Sequence, residues 1–149
     1  MRCAFAIACL AGCGGGTSGE PIHGSVAIHV GSDTIVPTVG AAVEDLQGDI
    51  TKAFVLIGTT GVSCDTDANS VLQRGTYLSF SIDRTPDTTR PLVSVIRVDS
   101  SGGHLNGSTG DVAISAVDPR VTGTVSVSTT DDTVGPISAT GDFDVIRCF

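Results

Sequence analysis

An acidic run before the middle of the chain carries residue types that could bind a metal ion. Asp65, Asp67 and Asn69 occupy alternate positions, and calcium prefers closely spaced carboxylate and amide oxygens as ligands. A full calcium loop is not present, because Ser70 stands where such a loop needs glycine and Thr76 where it needs a bidentate glutamate. The run therefore predicts either an Asx-rich turn or a looser calcium site.

Four further carboxylates lie near the end of the chain. Asp142 and Asp144 are two residues apart in a predicted strand, and Asp131 and Asp132 lie in the loop before it. Converging carboxylates can act as the acid and base of a glycoside hydrolase, but this requires a desolvated group beside a sugar-binding cleft. Aromatic residues, on which sugars commonly stack, make up only 4% of the chain. We expect Asp142 and Asp144 on a solvated strand face.

The three histidines do not form a known catalytic or zinc motif. His23, His29 and His104 are far apart, and none has the spacing of a His-Glu-x-x-His site. His104 follows two glycines and could be a loop base, but no Gly-x-Ser-x-Gly element supplies a nucleophile for it. We expect exposed histidines at all three positions, and the sequence predicts no catalytic residue.

The charge of the chain argues against nucleic-acid binding. The formal net charge is −8 at pH 7, and the eight basic residues are scattered singly. Such a field repels phosphate backbones and anionic lipid headgroups. We expect neither to be a partner of the charged surface.

The first twelve residues have the layout of a secretory signal peptide. Arg2 supplies a positive charge, and an uncharged apolar stretch ending in small residues follows; it is too short to cross a bilayer of roughly 30 Å as a helix. Alternative interpretations are the first strand of a cytosolic protein or a leader that is simply removed.

The segment Leu10-Ala11-Gly12-Cys13 resembles the lipobox of bacterial lipoproteins and matches that family's Leu-Ala-Gly-Cys pattern at all four positions. The resemblance covers the first 13 residues. It implies that Cys13 receives diacylglycerol, that the peptide bond before it is cut, and that the new terminus is often acylated. Two or more acyl chains hold a protein firmly on a membrane. Because Gly14 stands where an inner-membrane retention signal usually has aspartate, the resemblance further implies the outer membrane, in a cell that has one.

The remainder of the chain divides into a linker and one domain. Residues 13–21 are rich in glycine and small polar residues and predict a flexible tether. Residues 22–149 have room for a single core. The organisation expected is therefore a signal peptide over 1–12, a lipidated tether over 13–21 and one domain over 22–149.

Apolar residues in that domain alternate with polar ones, as in strands that bury one face. Residues 53–57 and 92–98 break the alternation and suit central strands. Turn residues separate these runs, among them Asn106-Gly107 and Gly135-Pro136, and only Ala41 to Gln47 suggests a helical turn or two. The pattern predicts an all-β antiparallel sandwich or barrel-like domain of about eight strands, over residues 26–30, 34–38, 53–57, 78–83, 92–98, 112–115, 124–128 and 137–146.

The cysteines that remain after processing predict a disulfide bond. Cys3 and Cys9 would leave with the leader and Cys13 would carry lipid, so Cys64 and Cys148 form an even pair in an oxidising compartment. The bridge would tie the end of the last strand to the body of the sheet.

Taken together, these residues predict a lipid-anchored β domain of the cell envelope that binds an unknown partner or has a structural role. The sequence predicts no cofactor other than calcium, which would bind at Asp65, Asp67 and Asn69 if these residues form the looser site. The alternative is an envelope hydrolase or a metal-binding carrier that uses loop carboxylates.

Overall fold

The computed structural model describes residues 19–45, 47–66, 74–100 and 102–149, and these residues form strands, turns and bends but no α-helix. Consequently, no helix in this part of the chain is long and apolar enough to cross a membrane. The strands are β1 (His23–Gly24), β2 (Ala27–Val30), β3 (Asp33–Ile35), β4 (Val39–Glu44), β5 (Lys52–Gly58), β6 (Gly75–Asp83), β7 (Thr88–Thr89), β8 (Leu92–Asp99), β9 (Gly102–Thr109), β10 (Asp111–Ala116), β11 (Arg120–Asp131) and β12 (Gly135–Arg147).

The strands form one continuous sheet in the order β7-β10-β11-β12-β4-β5-β6-β8-β9, with β1 and β2 also pairing with β12, and β3 with β2. All of the pairs are antiparallel except that between β12 and β4, where Ile146 and Arg147 lie beside Ala41 and Ala42. The sheet is not closed into a barrel. The prediction of an all-β antiparallel domain is confirmed. Of the two architectures predicted, a sandwich and a barrel, the structure resembles the sandwich.

The main core lies between the β12 half and the β5 half of the folded sheet. Alternate residues of β11 and β12, such as Val125 and Ala139, are buried in the same cluster as Val55 and Leu78 of β5 and β6. The rings of Phe80 and Phe143 join the two halves in an edge-on contact, with centroids 5.5 Å apart. This burial is the physical reason for the period-two pattern in the sequence.

A second, smaller core lies on the other face of β4, β5 and β6. Leu56 and Tyr77 are buried there together with Val62, which belongs to the segment 59–66 after β5. Strand β5 therefore buries both of its faces, with Val55 in one core and Leu56 in the other. The continuous apolar run over 53–57 follows from this position, as the sequence predicted for a central strand.

The helical turn predicted from Ala41 to Gln47 is wrong. Val39 to Glu44 form β4, which pairs with β5 from Val39↔Gly58 to Glu44↔Ala53. Alanine favours a helix locally, but the five residues from Val39 to Val43 are all buried. Burial on both faces of a sheet outweighs that local preference.

The hairpin turn predicted at Asn106-Gly107 is also wrong. Both residues lie inside β9, where Asn106 pairs with Val95 and Gly107 with Ser94. The described residues contain twelve strands instead of the eight expected, because β4 and β9 were not recognised as strands and because β1 and β7 are only two residues long.

Candidate functional site

A cleft that encloses about 500 Å³ lies between the two halves of the sheet, where β8 and β9 extend past the main core. Clefts of this size commonly accommodate small molecules. Its wall on one side is formed by β8 and β9, and on the other by the end of β2 and the turn between β11 and β12. The lining residues are Val30, Val95, Arg97, Asp99, Gly103, Asn106, Asp131, Thr133 and Val134.

The alternation of β8 places Arg97 and Asp99 in this cleft. Val93 and Val95 are buried in the main core, and the side chains of residues two apart in a strand leave the same face. Beyond Val95 that face meets the cleft instead of the core, so the next two residues of the row are charged. Asn106 of β9 pairs with Val95 and joins the same row.

The opposite wall is held by the tight turn between β11 and β12. Oδ1 of Asp131 accepts hydrogen bonds from the backbone N–H groups of Thr133, at 2.8 Å, and Val134, at 3.0 Å. Gly135 ends the turn with a φ of +86°, a conformation that glycine adopts without a steric penalty. The carboxylate of Asp131 is thus fixed in orientation at the mouth of the cleft, beside the exposed Val134.

The cleft contains side chains of both charge signs close together. Arg97 is the one basic side chain among its described lining residues, and Asp99 and Asp131 are acidic. No ion pair joins Arg97 to another residue in the described part of the chain. The arrangement offers the Arg97 guanidinium to an anion, the Asp131 carboxylate to a cation or hydrogen-bond donor, and an apolar floor of Val30 and Val95.

The carboxylates considered for hydrolysis do not converge. Asp142 and Asp144 pair with Thr124 and Thr122 of β11, whereas Asp131 lies seven residues further along that strand than Thr124. At about 3.4 Å per residue, this corresponds to roughly 24 Å between Asp131 and Thr124. Asp132 is an exposed residue of the turn. A single substrate atom cannot be reached from both places, so these acids do not form the converging group that the hydrolase alternative requires.

Asp142 and Asp144 have structural partners instead. Oδ2 of Asp142 accepts a hydrogen bond from Ser25 Oγ at 3.1 Å, and its backbone oxygen accepts two more from Ser25 and Val26. Asp144 forms an ion pair with Arg120, whose guanidinium also donates to the backbone oxygens of Asp144 and Pro21. Both acids therefore fix the N-terminal strands to β12.

The calcium hypothesis stays a prediction. Asp65 is an exposed residue of a turn, in which Thr66 N–H donates to Ser63 O at 3.0 Å. Asp67 and Asn69 lie outside the described residues. Within the described ranges, no group of three or more His, Cys, Asp or Glu residues is arranged to hold a metal ion.

The histidines occupy strands. His29 shares a hydrogen bond of 3.0 Å between Nδ1 and Thr34 Oγ1 across the β2–β3 hairpin, and His23 is exposed in β1. His104 lies in β9, in the register position opposite Arg97, and not in the loop that the sequence suggested.

Cys64 and Cys148 form the predicted disulfide bond, with Cα atoms 5.3 Å apart. Cys148 N–H also donates to Ala42 O at 2.9 Å, beside the parallel pairing of β12 with β4. The bridge thereby fastens the segment 59–66, with Val62, over the second core. Cys13, the expected lipidation site, lies outside the described residues.

Sequence reasoning missed Arg97, Asp99 and Asn106 as site residues. One signal was present in β8, where two buried valines at alternate positions are followed by two charged residues on the same face. The other wall comes from β2 and the β11–β12 turn, so its proximity depends on how the sheet folds over.

No protein-family model, curated protein or solved structure is detectably similar to this chain.

Proposed function

We propose that the protein is a lipid-anchored domain of the bacterial cell envelope, held by Cys13 in the outer membrane where the cell has one, and that it acts by binding rather than by catalysis. The observation that carries this proposal is the disulfide between Cys64 and Cys148. Disulfide bonds persist in oxidising compartments outside the cytosol, which is where the lipobox at Leu10 to Cys13 would deliver the chain.

The start of the fold supports anchoring close to the membrane. Glu20 N–H donates to Val62 O at 2.7 Å, and Glu20 O accepts from Gly40 N–H at 2.9 Å, so the chain is fixed to the domain from this point. Five residues separate Cys13 from Gly19, and the six steps between their Cα atoms span only roughly 20 Å even when the chain is fully extended. A lipid on Cys13 would keep the domain within that distance of the bilayer.

The roles of the carboxylates support binding over hydrolysis. Asp142 and Asp144 secure β12, and Asp111 and Asp118 pair with Arg90 and Arg147. A glycosidase needs one raised-pKa carboxylic acid beside a second carboxylate. The cleft holds Asp99 and Asp131 together with the Arg97 guanidinium over an apolar floor, and this mixed charge suits the recognition of a ligand.

Metabolic labelling with an alkyne-bearing fatty acid tests the anchor. In a bacterial host the wild-type protein should incorporate the label, and Cys13→Ser should lose it because the acceptor thiol is gone. Cys3→Ser is the matched control, since it removes a cysteine from the expected leader and should leave labelling unchanged. Equal labelling of Cys13→Ser and wild type would refute the proposal.

A further inference from the structure

We infer that the cleft between β8–β9 and the β11–β12 turn binds a small zwitterion, a molecule with an ammonium and an anionic group next to an apolar portion. This inference rests on the proposed function, because it names the ligand class of the binding domain. It starts from Arg97, a guanidinium in a cleft that has no ion-pair partner among the described residues. In a domain with a net charge of −8, such a cation is a specific place for an anion.

The acidic side of the cleft favours a ligand that carries an ammonium group in addition to its anionic group. Oδ1 of Asp131 is occupied by the two backbone N–H groups of its turn, and a carboxylate has a second oxygen that can accept further hydrogen bonds. A simple anion would be repelled by the Asp131 carboxylate, whereas a ligand that also carries an ammonium is attracted by both Asp131 and Arg97.

The floor of the cleft requires an apolar portion. Val30 and Val95 are nearly fully buried beneath it, and the side chain of Val134 at its rim is 37% exposed. An aliphatic group placed there would remove the apolar surface of the rim valine from water, which favours binding.

The position of the cleft leaves two sources of this chemistry. Val39, Gly58, Tyr77 and Ile96 form one row across the sheet by strand register, and the tether joins that row at Gly40. Val95 of the cleft lies on the opposite face of the sheet from this row, in the main core, so the attachment of the tether does not choose between an aminophospholipid headgroup and a hydrophobic amino acid or dipeptide in solution.

Isothermal titration calorimetry of the purified full-length protein tests the inference. The zwitterionic probes are leucyl-leucine and dihexanoyl phosphatidylethanolamine below its micellar concentration. Hexanoate and hexylamine carry only one charge each. At least one zwitterion should bind with a Kd below about 1 mM, and about tenfold more tightly than both singly charged probes. Binding of the dipeptide alone assigns the source to solution, binding of the lipid alone assigns it to the membrane, and binding of both supports the shared chemistry.

Two substitutions place the ligand in the cleft. Arg97→Gln removes the cation at an exposed position, and Asp131→Asn removes a negative charge but keeps an Oδ1 acceptor for the turn. Each should weaken binding about tenfold, as expected for a lost charged hydrogen bond. Arg90→Gln, outside the cleft in an exposed ion pair, is the control and should bind like wild type.

The inference is overturned if neither zwitterion binds below about 1 mM, if a singly charged probe binds as tightly, or if Arg97→Gln binds like wild type in a variant with an unchanged melting temperature. These results are independent of acylation at Cys13, so failure of the ligand assignment is distinguishable from failure of the anchor.

Discussion

Gly58 lies directly against the ring of Tyr77: a Cβ atom built on Gly58 would stand 2.3 Å from Tyr77 Cδ1. The two residues pair across β5 and β6, and Tyr77 is only 1% exposed in the second core. The glycine provides the space that the aromatic ring fills on this face of the sheet.

Gly58→Ala should therefore destabilise the fold by about 1–3 kcal/mol, because the added methyl group overpacks a filled site. Urea unfolding measures the change. Gly103→Ala, in another strand of the same sheet, is the control. A Cβ atom at Gly103 has nothing within 4 Å of it. A Gly58→Ala variant as stable as Gly103→Ala would show that the contact with Tyr77 does not limit packing.

Burial raises the pKa of Tyr77 above its ordinary value. The folded protein then keeps the phenol proton to a higher pH than the unfolded chain, whose tyrosine ionises near pH 10. The folded state binds more protons in this window, so stability is unaffected below about pH 10 and falls as the pH rises through the raised pKa.

The chain has one tyrosine and no tryptophan, so tyrosinate absorbance reports on Tyr77 alone. Its titration should occur at higher pH in the native protein than in the urea-unfolded protein. Tyr77→Phe should show a smaller loss of stability in the same alkaline range. Coincident titrations of the native and unfolded proteins would contradict the burial of the phenol.

Reduction of the Cys64–Cys148 disulfide should destabilise the fold by about 4 to 5 kcal/mol in the chain-entropy model, given a sequence separation of 84 residues. It should also release the segment that carries Val62 from the second core. Urea unfolding with and without reductant measures the effect. The double variant Cys64→Ser/Cys148→Ser should not respond to reductant; an identical wild-type midpoint in both conditions would exclude a stabilising bridge.

Two ion pairs should differ in their contribution to stability. The Arg120 and Asp144 side chains are each 33% exposed, whereas those of Arg90 and Asp111 are 71% and 63% exposed. Arg120 also donates to two backbone oxygens. Arg120→Gln should cost about 1–2 kcal/mol and Arg90→Gln less than about 0.5 kcal/mol. Equal losses in thermal unfolding would remove the structural role assigned to Arg120.

The sequence predicted those parts of the fold in which local pattern and burial agree. Strand β12 and the run over 53–57 were recognised because the apolar residues in each sequence follow the burial pattern of that strand in the sheet. The error at Ala41–Gln47 arose because five consecutive buried residues in β4 carry no alternation that distinguishes a strand from a helix. Asn106-Gly107 has the composition of a turn, yet the pairing with β8 places it within a strand.

The disulfide bond and the cleft also differ in how far the sequence predicts them. The disulfide could be predicted because parity and compartment restrict cysteine pairing before any geometry is known. The cleft could not, because Arg97 and Asp131 are brought together only by the folding of the sheet over its core. Periodicity describes which face a side chain leaves, but not which distant strand that face meets.

The mass of the N-terminal peptide of the mature protein, purified from the membrane fraction of a bacterial host, shows whether Cys13 carries a lipid. We predict a chain that begins at Cys13 and carries diacylglycerol on its thiol. An unmodified Cys13, or a mature chain that still contains residues 1–12, would refute the lipid anchor.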